Sequence, residues 1–198
     1  MINFYYTEIS PFSRKCRILA RELGIINSIN EVLITSMRDP NSLIMTINPT
    51  GKVPALTTSD KNLICESFAI CNYFEEVAGF KIGSMDKKEN WELNGLETLA
   101  SQVLESIVYR VIEKKIKPKE FIHKETILYE KLKVNKALDY LEKKSGIFKN
   151  KINRVQITLG IAFLVMYRAF PEENWQKGRD NLNEIVEKIK LRPSFIQT

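Results

Sequence analysis

Between residues 48 and 67 the chain reads Asn-Pro-Thr-Gly-Lys-Val-Pro-Ala-Leu-Thr-Thr-Ser-Asp-Lys-Asn-Leu-Ile-Cys-Glu-Ser, and several of these positions suit the holding of a small charged ligand. Pro54 stands just before a short apolar run, where a proline removes one ladder donor and fits an edge or a first strand position. An X-Pro bond is also the peptide most open to the cis form. At Val53-Pro54 that form would turn the Val53 amide and carbonyl toward solvent, where an extended peptide can pair with them. Ser67 opens a helix, so its hydroxyl and the free amides of the first turn make an anion site. Glu66 beside it offers a carboxylate to an ammonium group. One corner thus carries partners for both charges of an α-amino acid head group. The plainer alternative is that Pro54 shapes a turn and Ser67 caps a helix.

The elements that position this corner follow from pattern. Ile2 to Tyr6 is a β-prone run that forms a first strand. Ser10-Pro11 has Ser at an N-cap and Pro at the first helical position, and that helix runs through Cys16, Ile18, Leu19 and Leu23 to Gly24. A second strand is predicted near Val32 to Ile34, then a partly helical stretch from Ser36 to Ile47. Gly51 to Cys65 gives two short strands around a polar turn at Ser59 to Asn62. Glu66-Ser67 starts a helix whose apolar face is read as Phe68, Cys71, Phe74 and Val77, ending near Gly79. Strand, helix, strand, irregular or helical segment, two strands and helix is the order of a thioredoxin-like α/β domain, expected over residues 1–78.

Gly79, Gly83, Ser84 and the run Asp86-Lys87-Lys88 mark a linker over 79–88, and everything in 89–198 reads as an all-α domain. Trp91, Leu96, Leu99, Val103, Ile107 and Val111 recur at helical spacing, and Ile122 to Leu141 gives a further helix beyond Pro118. Val155 to Phe170 is apolar on nearly all sides. It is short for a membrane span and interrupted by Gln156, Thr158 and Arg168, so it reads as a buried central helix.

The string Asn48-Pro49, Gly51-Lys52-Val53-Pro54-Ala55-Leu56, Glu66-Ser67, Ala69-Ile70 and Tyr73-Phe74 resembles the glutathione-binding half of the cytosolic glutathione S-transferases. Phe170-Pro171, Trp175, Asn181-Leu182 and Arg192-Pro193-Ser194-Phe195 resemble the closing helices of bacterial transferases of that superfamily, so the likeness spans nearly the whole chain. One departure stands at Gln156, where the family places Asp after the cap at Asn153. Gln can still reach back to cap, but it lacks the negative charge worth about 0.3–1 kcal/mol at a helix N-terminus.

The resemblance implies a transferase that attacks small hydrophobic electrophiles with the thiolate of glutathione. A free thiol near pKa 8.5 is mostly protonated at neutral pH, so the protein must stabilise the thiolate. Ser10, in the turn Ser10-Pro11-Phe12-Ser13, corresponds to the serine that serves zeta- and theta-like relatives. The turn resembles the active-site turn of thioredoxin-like proteins with Ser in place of both redox cysteines, which excludes a dithiol mechanism there, whereas omega-like relatives carry Cys at the first position and form mixed disulfides. The Ser10 hydroxyl and the helix dipole together would lower the thiol pKa by roughly one to two units. Tyr6, near where other subclasses place a tyrosine, is the rival group.

By the same resemblance the Val53 backbone, ahead of Pro54, takes the cysteinyl part of glutathione, and Glu66 with Ser67 takes the γ-glutamyl head. Lys52, or alternatively Arg38, pairs with the glycine carboxylate. Tyr6, Phe12, Tyr109 and Arg110 are the candidates for the second-substrate pocket. The implied protein is a homodimer without a metal. Two other readings stay open: a noncatalytic interaction module on the same fold, and a glutathione-dependent dehalogenase or reductase.

Composition narrows the rest. In 198 residues, 44% hydrophobic, there is enough apolar material for a real core. Cys16, Cys65 and Cys71 are odd in number and form neither a CxxC motif nor a metal-ligand cluster, which suits a reducing cytoplasm. No basic and apolar leader is read at the N-terminus. The net charge of +6 comes largely from lysines scattered through 113–124 and 131–151. They coat a solvated face without the interleaved aromatics that single-stranded nucleic acid needs, so no specific nucleic acid or membrane partner is expected. His123, the lone histidine, sits in that Lys-rich region and reads as a surface residue.

Overall fold

The computed structural model describes residues 1–83 and 87–198, the side chains of 87–90 excepted. Part of the expected linker, Ser84 to Asp86, therefore lies outside the described residues. The chain divides into two compact units, one of residues 1–82 with 193–198, the other of residues 83–192.

In the first unit a four-stranded sheet has the order β2-β1-β3-β4, with β1 at Ile2–Tyr6, β2 at Ile29–Leu33, β3 at Ala55–Thr57 and β4 at Leu63–Cys65. The β1–β2 pair is parallel and needs a crossover, which α1 (Pro11–Glu22) supplies. The β1–β3 and β3–β4 pairs are antiparallel. The expected second strand begins three residues earlier than its β-branched run, because pairing with Ile2 extends it back to Ile29. After β2 the helical expectation reduces to one short helix, α2 (Leu43–Ile47).

Side chains alternate across β1, as the pleat requires. Phe4 packs on Phe74 of α3 (Ser67–Ala78), with ring centroids 5.9 Å apart. Tyr5 points the other way into a cluster with Ile34, Ile44 and Ala55. The buried face of α3 consists of Ser67, Ile70, Cys71, Phe74 and Glu75. Val77, expected on that face, is exposed. Cys16 and Cys71 meet across the α1–α3 contact with sulfurs 3.9 Å apart.

Residues 193–198, expected with the helical domain, join the first unit instead. The Arg14 guanidinium donates to the Phe195 carbonyl at 2.9 Å and lies 4.8 Å from that ring centroid, while the Ser194 hydroxyl donates to Glu22. They include a four-residue turn of helix, Pro193–Ile196.

The second unit is helical: α4 (Lys87–Val111), α5 (Lys124–Lys144), α6 (Arg154–Ala169) and α7 (Asp180–Ile189). A π-helical turn at Ile112–Ile116 follows α4. As expected from its apolar sequence, α6 is buried over most of its length. Among the described residues no helix is long and apolar enough to cross a membrane. Phe163 of α6 stacks on Trp175 at 3.8 Å. Trp91, read as a core position of α4, is exposed.

The Asn153 side chain caps α6 by accepting the Gln156 amide at 3.1 Å. Gln156 does not reach back to complete the box. Its amide donates to the Phe148 carbonyl at 2.7 Å, a bond that an ionised Asp, an acceptor only, could not make.

Candidate functional site

Two helix N-termini and one strand edge form the candidate site, all within the first unit. At α1 the backbone of Ser10 is extended, and its Oγ accepts the Ser13 amide at 3.2 Å, with Pro11 at the first helical position. This is the geometry predicted from Ser10-Pro11. An accepting hydroxyl keeps its own proton, so the cap and a donated hydrogen bond are compatible. Ser13 itself is fully buried, and its Oγ has no partner among the described residues. Phe12 is half-buried beside it.

At α3 the turn is sharper. Glu66 has φ 73°, a left-handed conformation unusual for a residue with a side chain, and it is exposed. Its carbonyl accepts the Ile70 amide at 3.0 Å, but no side chain caps the helix. Ser67 is buried at the first helical position. The Cys16 thiol lies 3.7 Å from the Ser67 carbonyl, so α3 begins against the second turn of α1.

The Val53–Pro54 bond is cis, Pro54 is buried just ahead of β3, and Val53 packs on the Tyr5 cluster. Lys52 is exposed, as is Arg38 in the loop after β2. Gly51 has φ 64°, and a Cβ there would lie 2.5 Å from the Met45 sulfur, so the loop admits little else at that position.

Tyr6 stacks on Phe4 with ring centroids 6.3 Å apart and lies under the Arg17 guanidinium at 4.3 Å. Arg17 and Arg21 both bind Glu31, at 2.6 and 2.9 Å. Burial would raise the Glu31 pKa, but the hydrogen bonds and charges of Arg21 and Arg17 outweigh it and hold the carboxyl below its ordinary range. Cys65 behaves oppositely. Burial, with the nearby charge of Glu66, pushes its thiol up and keeps it protonated.

The second-unit candidates separate. Tyr109 is exposed, whereas Arg110 is 1% exposed. The Arg110 guanidinium is paired with Glu173 and lies 4.1 Å from the Phe170 centroid. Consecutive helical residues point about 100° apart, and here Tyr109 faces outward while Arg110 faces inward. Arg110 is a scaffold residue here, which corrects its reading as a pocket residue. His123 caps α5, with Nδ1 2.7 Å from the Thr126 hydroxyl, as a surface histidine. Among the described residues no three His, Cys, Asp or Glu side chains gather into a metal site. Asn48 carried no role in the sequence reading beyond its place in the motif. Its signal was the Asn-Pro dipeptide, a turn initiator.

Comparison with known proteins gives consistent likenesses. Residues 9–77 match the family model described as glutathione S-transferase, N-terminal domain. An uncharacterized GST-like protein of Escherichia coli strain K12, YibF, is 29% identical over 197 residues, covering 96% of this chain and 94% of the relative. A glutathione S-transferase from Methylobacillus flagellatus, solved with GSH bound, superposes with a TM-score of 0.88 at 22% identity, over 100% of this chain and 98% of the other. A glutathione transferase family member from Pseudomonas fluorescens Pf-5 with bound glutathione gives 0.90 at 21%, again over 100% and 98%. At such identities the two structures speak for the fold: a thioredoxin-like unit followed by a helical one.

Proposed function

We propose that the chain is a member of the glutathione S-transferase superfamily and that it transfers the thiolate of glutathione to small hydrophobic electrophiles, with Ser10 as the thiolate-stabilising group. The observation that carries the reading is the pairing of two helix N-termini on adjoining helices. The Ser67 carbonyl touches Cys16, six residues along α1 from Ser10, which is about 9 Å of helix. An extended tripeptide spans about 10 Å. Glutathione can therefore reach from one N-terminus to the other.

In this reading the γ-glutamyl carboxylate binds at the N-terminus of α3 with the Ser67 hydroxyl, and Glu66 takes the ammonium. The Val53 backbone pairs with the cysteinyl residue, and the exposed Lys52 takes the glycine carboxylate. The sulfur then lies at the start of α1, where the Ser10 hydroxyl donates to it and the positive end of the helix favours the anion. The glutathione thiol gives its proton to solvent and the thiolate sulfur forms the new bond; in a substitution the leaving group departs with the electrons of its bond to the attacked carbon, and in an addition the π electrons move onto the product, which takes a proton from solvent. Phe12, half-buried in the first turn of α1, is the proposed contact of the apolar electrophile. Tyr6 is held by Arg17 and Phe4, which favours Ser10 over it.

A calorimetric titration with glutathione, paired with a pH titration of the bound thiolate by ultraviolet absorbance, tests the proposal. Binding with the thiol pKa well below 8.5 is the expected result. Absence of binding would overturn it and favour the interaction-module alternative.

A further inference from the structure

Asn48 lies outside the two helix N-termini and is 3% exposed, yet all four of its polar groups are engaged. Its amide donates to the Ile44 carbonyl at 2.7 Å and closes α2. Its carbonyl accepts the Gly51 amide at 2.8 Å. The side-chain Oδ1 accepts from Thr50 twice, from the backbone amide at 3.1 Å and the hydroxyl at 2.9 Å. The side-chain Nδ2 donates to the Lys52 carbonyl at 2.8 Å.

The first three contacts, with the Thr50 hydroxyl, build a turn, and an Asx turn is an ordinary use of asparagine. The contact to Lys52 does more. A peptide unit is planar, and in the trans form its C=O and N–H point in opposite directions. Fixing the Lys52 carbonyl on Asn48 therefore fixes the Val53 N–H, which must face away from Asn48. We infer that Asn48 is a positioning residue for ligand binding: its Nδ2 sets the plane of the Lys52–Val53 peptide and so aims the Val53 amide at the bound peptide. The inference rests on the proposed binding of glutathione at this edge.

The two halves of the Asn48 side chain are separable. Asn48→Asp keeps the acceptor that makes the turn but sets a carboxylate oxygen against the Lys52 carbonyl in place of a donor. Thr50→Val removes only a turn contact and leaves the Lys52 carbonyl bound. Glutathione affinity of the intact protein and its two variants is measured by calorimetry, with thermal melting alongside. The expected result is at least 10-fold weaker binding for Asn48→Asp and binding within 2-fold of wild type for Thr50→Val. Equal affinities for Asn48→Asp and wild type would overturn the inference while leaving the proposed function intact. A loss in Thr50→Val as large as in Asn48→Asp would also overturn it, since loop stiffness alone would then account for both. Should Asn48→Asp fail to fold, Asn48→Ser, which keeps a hydroxyl acceptor but has no amide donor for the Lys52 carbonyl, takes its place with the same expected loss and the same overturning result. A wild-type protein that does not bind glutathione brings down the proposed function itself.

Discussion

At the start of α1 the backbone is extended at Ser10, and the side chain turns back to cap Ser13; at the start of α3 the backbone is left-handed at Glu66, and no side chain caps the helix. The first N-terminus has satisfied one of its donors with the side chain of its own N-cap residue, whereas the N-cap side chain of the second makes no such bond. Positive φ with ψ 130° at a residue with a side chain costs about 1–3 kcal/mol, and it persists at Glu66 because the hairpin and the helix fix the chain on either side. The difference suits two different anions. A bound carboxylate gains most from open amides, while a sulfur needs a single well-directed donor.

The largest expected effect is that of Ser67→Ala. It removes a hydrogen bond to a charged group and should weaken glutathione binding by about 1–3 kcal/mol in a calorimetric titration; unchanged affinity would end the head-group assignment. Ser10→Ala should do the opposite, leaving affinity nearly intact while raising the pKa of the bound thiol by about one unit, or about 1.4 kcal/mol. Ultraviolet titration of the complex reads that shift, and an unchanged pKa would return the role to Tyr6. Some loss of melting temperature accompanies the variant, because the Ser13 amide loses its cap.

The smallest effect belongs to Glu31→Gln, which releases Arg17 and Arg21 on the flank of α1 and leaves α3 untouched. It should cost about 1 kcal/mol of stability at neutral pH. The Glu31 pKa is lowered in the folded protein, so the folded state favours the ionised carboxylate. Its stabilisation is present above the ordinary carboxyl pKa of 4.5 and fades as pH falls through the lower folded value. Melting curves of wild type and variant should therefore converge in acid. A gap that persists there would mean that Glu31 acts through packing rather than charge.

Much of the fold was legible because its signals are local. Ser10-Pro11 marked the start of α1, Gly79 the end of α3, and the two runs around Ser59 to Asn62 the hairpin. The start of β2 was not, because Ile29 becomes a strand residue only through its pairing with Ile2. Positive φ at Glu66 was hidden as well, since a glutamate gives no sign of it. Arg110 looked like a pocket residue from its place beside Tyr109. Its pairing with Glu173, 63 residues away, and its packing on Phe170 are contacts that sequence does not place. Gln156 was legible as a departure, but its gain, a bond to the Phe148 carbonyl, depended on a partner that sequence does not place.

The docking of residues 193–198 on α1 has a consequence for biosynthesis. The first unit is interrupted in sequence, so a ribosome that has made β1 to α3 has not yet made the partners of Arg14 and Glu22. The second unit is translated in between, which at ~5–20 residues per second occupies about 5–20 s. During that interval α1 waits for the contacts that residues 193–198 bring when they emerge.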